Sequence, residues 1–334
     1  MNTVATRKDD FAMDQQIDPP GDVTESFGAA EAAPKRAPIL ARIKLPPVRA
    51  MFDALWPPAA GILGFLAFWA VLAPLVKTSL GALPGPGDVW NAFKGLMVEY
   101  AAARAAAAEA VAAGSSYTGP PSFIDQIFTS LKTVAMGFIL ATMVAVPLGL
   151  IAGMSKRINA AINPLVQILK PISPLAWLPI VTMVVSASIT SKDPTLPKSF
   201  VISAVVVMLC SLWPTLINTA VGTASIDKDL LNVGRVLKLG WFDRLTKLVL
   251  PSSLPYIFTG MRLSLGVGWM VLIAAETLAQ NPGLGKFVWD EFQNGNEKSL
   301  ARIMVAVVVI GLIGFMLDRI MMALQAVASR NHTL

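Results

Sequence analysis

The chain has 334 residues, 54% of them hydrophobic and 14% charged, with a mean hydropathy of +0.61. Soluble domains carry about 25% charged residues, so this balance excludes an ordinary soluble enzyme and a disordered chain and points to an integral membrane protein. A single Cys (Cys210) and a single His (His332) exclude an intrachain disulfide, a thiolate cluster, a His-based triad and a zinc or haem site, and the net charge of +6 is to be read loop by loop.

Residues 1–55 open with acidic residues (Asp9, Asp10, Asp14, Asp18, Asp22) and end with basic ones (Lys35, Arg36, Arg42, Lys44, Arg49). No apolar stretch follows Arg7 and Lys8, so a signal peptide is not expected, and the segment reads as a disordered cytoplasmic tail. Its basic end either fixes membrane orientation or offers a lipid or partner site.

About 20 apolar residues cross the roughly 30 Å of hydrocarbon in a bilayer. Stretches free of Asp, Glu, Lys and Arg cover 57–76, 133–155, 171–191 and 199–226. Two more apolar segments, 258–278 and 300–324, are bounded by charges that can snorkel or face protein. The apolar runs are continuous and do not alternate, which favours helices over a β-barrel. The expected fold class is all-α integral membrane, with six transmembrane helices. Six crossings put both termini on one side. That side carries 16 Lys and Arg against 7 on the other, so both termini are expected in the cytoplasm.

Segment 78–128 then lies outside. It holds a Pro/Gly turn, LPGPGD, and a helical stretch over 89–113 whose Ala-rich end closes at Gly114, a natural C-cap. It is too charged to span, and it reads as a helix on the membrane surface or as a docking element.

No phosphate-cradling P-loop occurs. GNEKS at 295–299 lacks the Gly spacing and the Gly-Lys-Ser/Thr order, and neither HExxH nor GxSxG is present. The chain is expected to bind no cofactor and to hydrolyse no ATP by itself. Charge in the spans is sparse: Lys132, Lys170, Arg262, Arg302 and Asp318 fall near expected span ends, and Glu276 is the deepest. An ionisable residue in the membrane is a functional candidate, so Glu276 counts as a pathway residue; bordering the outer surface or capping a turn is the alternative. So few titratable groups speak against a proton-coupled carrier.

Loop 225–256 reads SIDKDLLNVGRVLKLGWFDRLTKLVLPSSLPY. Apolar residues recur at helical spacing (Leu230, Val233, Gly234, Leu237, then Phe242, Leu245, Val249), and charges fill the other face. Gly240 separates two helical pieces, and Pro251 and Pro255 are expected to stop the second. A structured pair of this size exceeds what a hairpin connection needs, so it lies on the bilayer or docks on a partner.

This loop resembles the cytoplasmic loop of the transmembrane permease subunits of bacterial ABC importers. Theirs carries Glu-Ala-Ala, a Gly four residues after the second Ala, and a closing Leu-Pro. Leu250-Pro251 match that ending; the front falls on Asn232, Val233 and Gly234, and the Gly position on Lys238. The stretches PISPLAWLPI (171–180), SLWPTLINTAVG (211–222), LPYIFTGMRLSLGVGWMVLIAAE (254–276) and FMLDRIM (315–321) look like the nitrate/sulfonate/bicarbonate group. Asn-Val before the small residue and a basic residue at the Gly position resemble its nitrate branch. The resemblance covers about 56–328 as the permease domain, with 329–334 as a short tail.

The resemblance implies a type I ABC-importer permease fold and a division of labour. Two permease copies form the pore. Cytoplasmic ATPase subunits, which use the ATP and Mg, grip the coupling helix, so Asn232, Val233, Gly234, Leu237, Lys238, Gly240, Leu250 and Pro251 become the coupling residues. A periplasmic or lipoprotein solute-binding protein delivers the solute, and the pore alternates between outward and inward openings across the inner membrane. No nucleic acid is involved.

Pro174 and Pro179 fall inside the expected third span, and Trp213, Pro214 and Asn218 repeat the theme in the fourth. Proline-broken helices are tolerated where they line a cavity or pack on neighbours. Trp177, Pro179, Trp213, Pro214 and Asn218 are therefore pathway candidates, with helix packing the alternative for each; Gly266 and Gly268 read as close-packing positions. No Arg or Lys is expected at mid-membrane, so an anion would meet weak donors and helix dipoles. A small oxyanion, nitrate first, is the expected solute. Sulfonates such as taurine, bicarbonate and cyanate are alternatives within transport. A membrane scaffold that recruits a cytoplasmic partner is the alternative outside it.

Overall fold

The computed structural model describes residues 48–78, 81–115, 119–189 and 197–330, and the chain divides into a unit ending at Ala60 and one from Gly61 onward. Most of the expected tail (1–47) and the last four residues lie outside the described residues. In the first unit the described residues are the opening turns of α1 (Val48–Leu72), with Pro57 and Pro58 inside the helix.

The second unit holds everything else. A 3-10 turn over Ala73–Leu75 ends α1, and Lys77–Thr78 pairs antiparallel with Gly81–Ala82, a minimal ladder that the all-helical expectation lacked. The Trp69 indole N–H donates to the Pro84 carbonyl at 3.1 Å, which ties this return to α1. Helix α2 (Pro86–Ala112) follows, close to its expected bounds. Gly114 takes φ +73, its N–H donates to Val111 O at 3.0 Å and Ser115 N–H donates to Ala110 O at 2.9 Å. This paired ending needs a left-handed residue, which glycine supplies without a Cβ penalty.

Helix α3 (Phe123–Met154) starts ten residues before the apolar stretch does. Its start is set by a cap and not by hydropathy: Asp125 N–H donates to Ser122 Oγ at 3.3 Å, and Ser122 N–H to the Asp125 carboxylate at 3.2 Å. The expected third span, 171–191, holds the single helix α5 (Pro174–Ser188); a further helix, α4 (Lys156–Leu169), precedes it where a loop was expected, and the two are bent by 102°. Pro174 does not break a helix; it opens α5 behind the Ser173 cap, where the missing N–H costs nothing. At 15 residues, α5 is about 22 Å long, short of a full bilayer core. Residues 190–191 of that expected span lie outside the described residues.

Helix α6 (Lys198–Ala224) matches its expected span. Then come α7 (Lys228–Val236), α8 (Trp241–Arg244), α9 (Leu250–Ala279), α10 (Leu284–Asn294) and α11 (Glu297–Arg330). Pro251 and Pro255 were expected to stop a helix, and they do not: the helix is continuous over Trp241–Ala279. Residues Leu245–Val249 are π-wound, with Leu250 N–H donating to Leu245 O five residues back. The Ser253 and Thr259 hydroxyls donate to Val249 O at 2.6 Å and Pro255 O at 2.8 Å, taking up carbonyls in the proline-bearing turns.

Among the described residues, five helices are long and apolar enough to cross a membrane, or six when the bent α4–α5 pair counts as one span, so the fold is that of an all-α, multi-span protein. Helices α3, α6 and α9 form its packed centre through small residues. A Cβ on Gly137 would meet Val207 Cγ1 at 2.7 Å, and one on Gly260 would meet Thr215 Cα at 2.9 Å. Such glycines let helix backbones approach closely where packing, not water exclusion, drives association. Gly268 behaves as expected, facing Val207 and Ser211, whereas Gly266 has nothing within 4 Å.

Candidate functional site

The 225–256 loop is a folded element. Helix α7 ends at Leu237, Lys238 N–H donates to Arg235 O at 3.0 Å, and Leu239 N–H donates to Gly234 O at 3.0 Å. That pattern requires a left-handed residue at Lys238, which has φ +51. Gly240 then takes an extended conformation as the N-cap of α8. The two helical pieces expected around Gly240 are present, but their apolar residues divide between an inward and an outward set. Gly234 is turned inward, where a Cβ would meet Leu248 Cδ1 at 2.7 Å. Leu245, Leu250 and Leu231 pack on a cluster of Leu150, Val249 and Ile257 at the inner ends of α3 and α9. Val233, Val236, Leu237, Trp241 and Phe242 point outward, with Val236 81% and Phe242 70% exposed. Asn232 accepts from Arg235 at 3.1 Å, and Pro251 sits half-buried in the first turn of α9.

The pathway candidates do not converge. Trp213 is buried among Ala141, Ala145, Val166, Leu212 and Leu216. Asn218 turns its amide back to donate to Pro214 O at 2.8 Å. Trp177 is half-buried in α5 with no acceptor for its indole N–H among the described residues, and Pro179 is exposed beside it. Glu276 is fully buried near the C-terminal end of α9. Its carboxylate accepts the Ser130 hydroxyl at 2.8 Å and the Gly285 N–H at 2.9 Å.

Three features were not read from the sequence. Arg262 and Asp318 lie well inside continuous helices and not near span ends; Arg262 donates to both carboxylate oxygens, one at 3.0 Å, bridging α9 and α11. The helix extends inward through the prolines, which is why Arg262 lies deeper than expected. Where α2, α10 and α11 meet there is a linked network: Arg302 donates to both oxygens of Glu99 (2.8 and 3.0 Å) and pairs with Glu291 at 2.7 Å, and Ser299 donates to Glu291 at 3.0 Å. A cleft of about 490 Å³ between α2 and α11 borders it, lined by Asp88, Asn91, Glu99, Lys298 and Arg302. Finally, Arg104 pairs with Asp125 at 2.9 Å, fixing α2 to the start of α3. Hydropathy and spacing carry no signal for such long-range pairs.

The family profile described as "Binding-protein-dependent transport system inner membrane component" matches residues 145–330, from the second half of α3 through α11. The nitrate import permease protein of Synechococcus elongatus is 38% identical over 195 residues, covering 58% of this chain and 66% of that protein's length. The bicarbonate transport system permease protein of the same organism is 34% identical over 284 residues, covering 85% and 92%. A putative ABC transporter permease protein of Methanocaldococcus jannaschii is 34% identical over 205 residues, covering 60% and 70%.

Proposed function

We propose, from the premise that the chain belongs to the family of binding-protein-dependent transport system inner membrane components, that it is the membrane-spanning subunit of an ATP-driven importer for a small anion, nitrate first. The exposed apolar face of α7 and α8 carries this reading. An amphipathic helix pair that leaves Val236, Trp241 and Phe242 uncovered suits a groove on a cytoplasmic protein. In this reading ATPase subunits, which bind the ATP and Mg, grip that face through Val233, Leu237 and their neighbours. Gly234, Lys238, Gly240, Leu250 and Pro251 hold the face in place. The continuous Trp241–Ala279 helix then carries the ATPase motion directly into the membrane.

Two copies of the chain form the pore, with both termini in the cytoplasm of a cell whose inner membrane holds the complex. A solute-binding protein docks on the outer face, near α2, α10 and α11. The solute passes along α5, α6 and α9. Trp177, Pro179, Pro214 and Asn218 lie nearest it, Trp213 packs behind them, and Glu276 acts from the outer end. Nitrate and bicarbonate are both planar, singly charged, three-oxygen anions, so one pathway chemistry serves either. Arg262 is neutralised by Asp318, which leaves weak donors such as the Trp177 indole to meet the anion.

Bicarbonate is the second reading, favoured by the longer match to a bicarbonate permease. Uptake of labelled nitrate in a deletion strain carrying this gene, with bicarbonate and taurine as competitors, decides among them. Saturable nitrate uptake that resists both competitors supports the first reading. Suppression by bicarbonate supports the second. ATPase recruitment without uptake of any of the three would leave the scaffold reading in place of transport.

A further inference from the structure

Glu276 is a buried carboxylate with no basic partner in an ion pair among the described residues. A buried carboxyl group is kept only where hydrogen bonds satisfy it, so its partners show what it does. They are backbone and hydroxyl donors at one place, the start of α10. Gly285 N–H donates to Glu276 Oε2 at 2.9 Å, and the Ser130 hydroxyl lies 2.9 and 2.8 Å from the two carboxylate oxygens. Ser130 Oγ in turn accepts Leu284 N–H at 2.8 Å. Leu284 and Gly285 are the first residues of α10, whose opening N–H groups have no partner within the helix. Glu276 on α9 and Ser130 on α3 thus supply the cap that α10 lacks in its own sequence. Gly283 offers no side chain to do so, and a Cβ there would overlap the Glu276 carboxylate. Asn281, also buried, closes the approach by donating to Thr133 of α3 at 3.1 Å.

The far end of α10 is where this matters. Glu291, on its last turn, engages Ser299 and Arg302 of α11, and Arg302 reaches Glu99 of α2. Phe287, between them, packs against Phe123 at the head of α3 in a tilted ring contact with centres 4.9 Å apart. One short helix therefore joins all the outer elements, and its angle is set at one end by Glu276. We propose that Glu276 is a positioning residue: it contacts neither solute nor solvent, but fixes α10 and with it the outer rim through which the solute enters. This rests on the transport reading above for its consequence, though not for its geometry.

The test uses the assembled transporter with Glu276→Ala, Glu276→Gln and Ser130→Ala, read by amide hydrogen exchange and by uptake kinetics of labelled nitrate and bicarbonate. Gln matches the shape, accepts Gly285 N–H through its oxygen and donates to Ser130 Oγ through its nitrogen; only the charge is lost. In the Ala variant, exchange over 284–294 should rise about tenfold, as for a helix start that loses its cap, with α6 unchanged. The half-saturating anion concentration should rise several-fold while the maximal rate per assembled complex is kept. Glu276→Gln should restore most of both, and Ser130→Ala should fall between. Unchanged exchange in Glu276→Ala overturns the proposal, and so does a Gln variant as defective as Ala, because the charge itself would then be at work. A maximal rate that falls with half-saturation unchanged also overturns it, since that pattern reports lost complexes and not a displaced rim. If the wild type takes up neither anion, the transport reading fails by itself, and the exchange data alone uphold or overturn the positioning of α10.

Discussion

Lys238 occupies a backbone region where a Cβ costs about 1–2 kcal/mol. The paired N–H contacts of Lys238 and Leu239 show why a left-handed residue is needed there. Lys238→Gly should stabilise the loop by about 0.5–1 kcal/mol once the added freedom of glycine in the unfolded chain is subtracted. Slower limited proteolysis across 236–242 would report it, and faster cleavage would contradict the left-handed assignment. Gly234 is the complementary case. Its neighbour is Leu248 of the same loop, so Gly234→Glu drives a carboxylate against an apolar side chain and should dislodge α7 from the Leu245–Leu250 segment. Membrane insertion should stay intact while the ATPase no longer copurifies; normal copurification would mean that this internal fit does not present the docking face. Gly234→Ala should be tolerated better, because Leu248 Cδ1 is the mobile end of its side chain. The sequence signals both positions, one as a small residue and one as a departure from Gly. It does not signal that Gly234 faces inward while Val233 and Leu237 face outward, because helical spacing puts all three on one apolar face and carries no record of the left-handed turn at Lys238.

Elements were legible wherever hydropathy changed abruptly and illegible wherever a cap or a hydroxyl set the boundary. Helix α6 and the bulk of α11 coincide with apolar stretches, whereas α3 begins behind the Ser122 cap and α9 runs on through two prolines, the first of them in its opening turn. The α7–α8 face gives a prediction at this scale. Val236→Asp combined with Phe242→Asp alters two exposed side chains, so permease stability should move by no more than about 0.5 kcal/mol each. ATPase association should nevertheless be lost in copurification. Retained association would remove this face from the interface. Within α6, Trp213→Ala empties a packed position and should lower the melting temperature of the complex, by about 3 kcal/mol of stability or more. Asn218→Leu frees the Pro214 carbonyl at a cost of about 1 kcal/mol. Transport per assembled complex should change with Asn218→Leu more than with Trp213→Ala if the pathway runs beside Pro214. Equal transport per complex in both would leave the two residues to packing alone.

At the scale of the whole membrane unit from Gly61 onward, α3 is the ruler. Its first residues meet α2 through Arg104 and Asp125, and its last turns meet the coupling loop through Leu150 and Val249. The helix has 32 residues, about 48 Å at 1.5 Å per residue, which exceeds a bilayer core of roughly 30 Å. The Ala-rich helix and the coupling loop must therefore lie on opposite sides of any membrane that α3 crosses. The charge count, 16 Lys and Arg on the coupling-loop side against 7 on the other, predicts that the coupling loop is the cytoplasmic one. A reporter active only in the periplasm should then be active when fused after Ala105 and silent after Lys238. Both sites are exposed, on a helix surface and in a turn, so the fusions test topology and not folding. A reversed pattern would overturn the orientation and with it the ATPase contact, while leaving the fold intact. The same signal at both sites would contradict the crossing of α3 itself. A third fusion after Gly295, in the turn between α10 and α11, must agree with Ala105, because Arg302 joins Glu291 to Glu99 across the outer face.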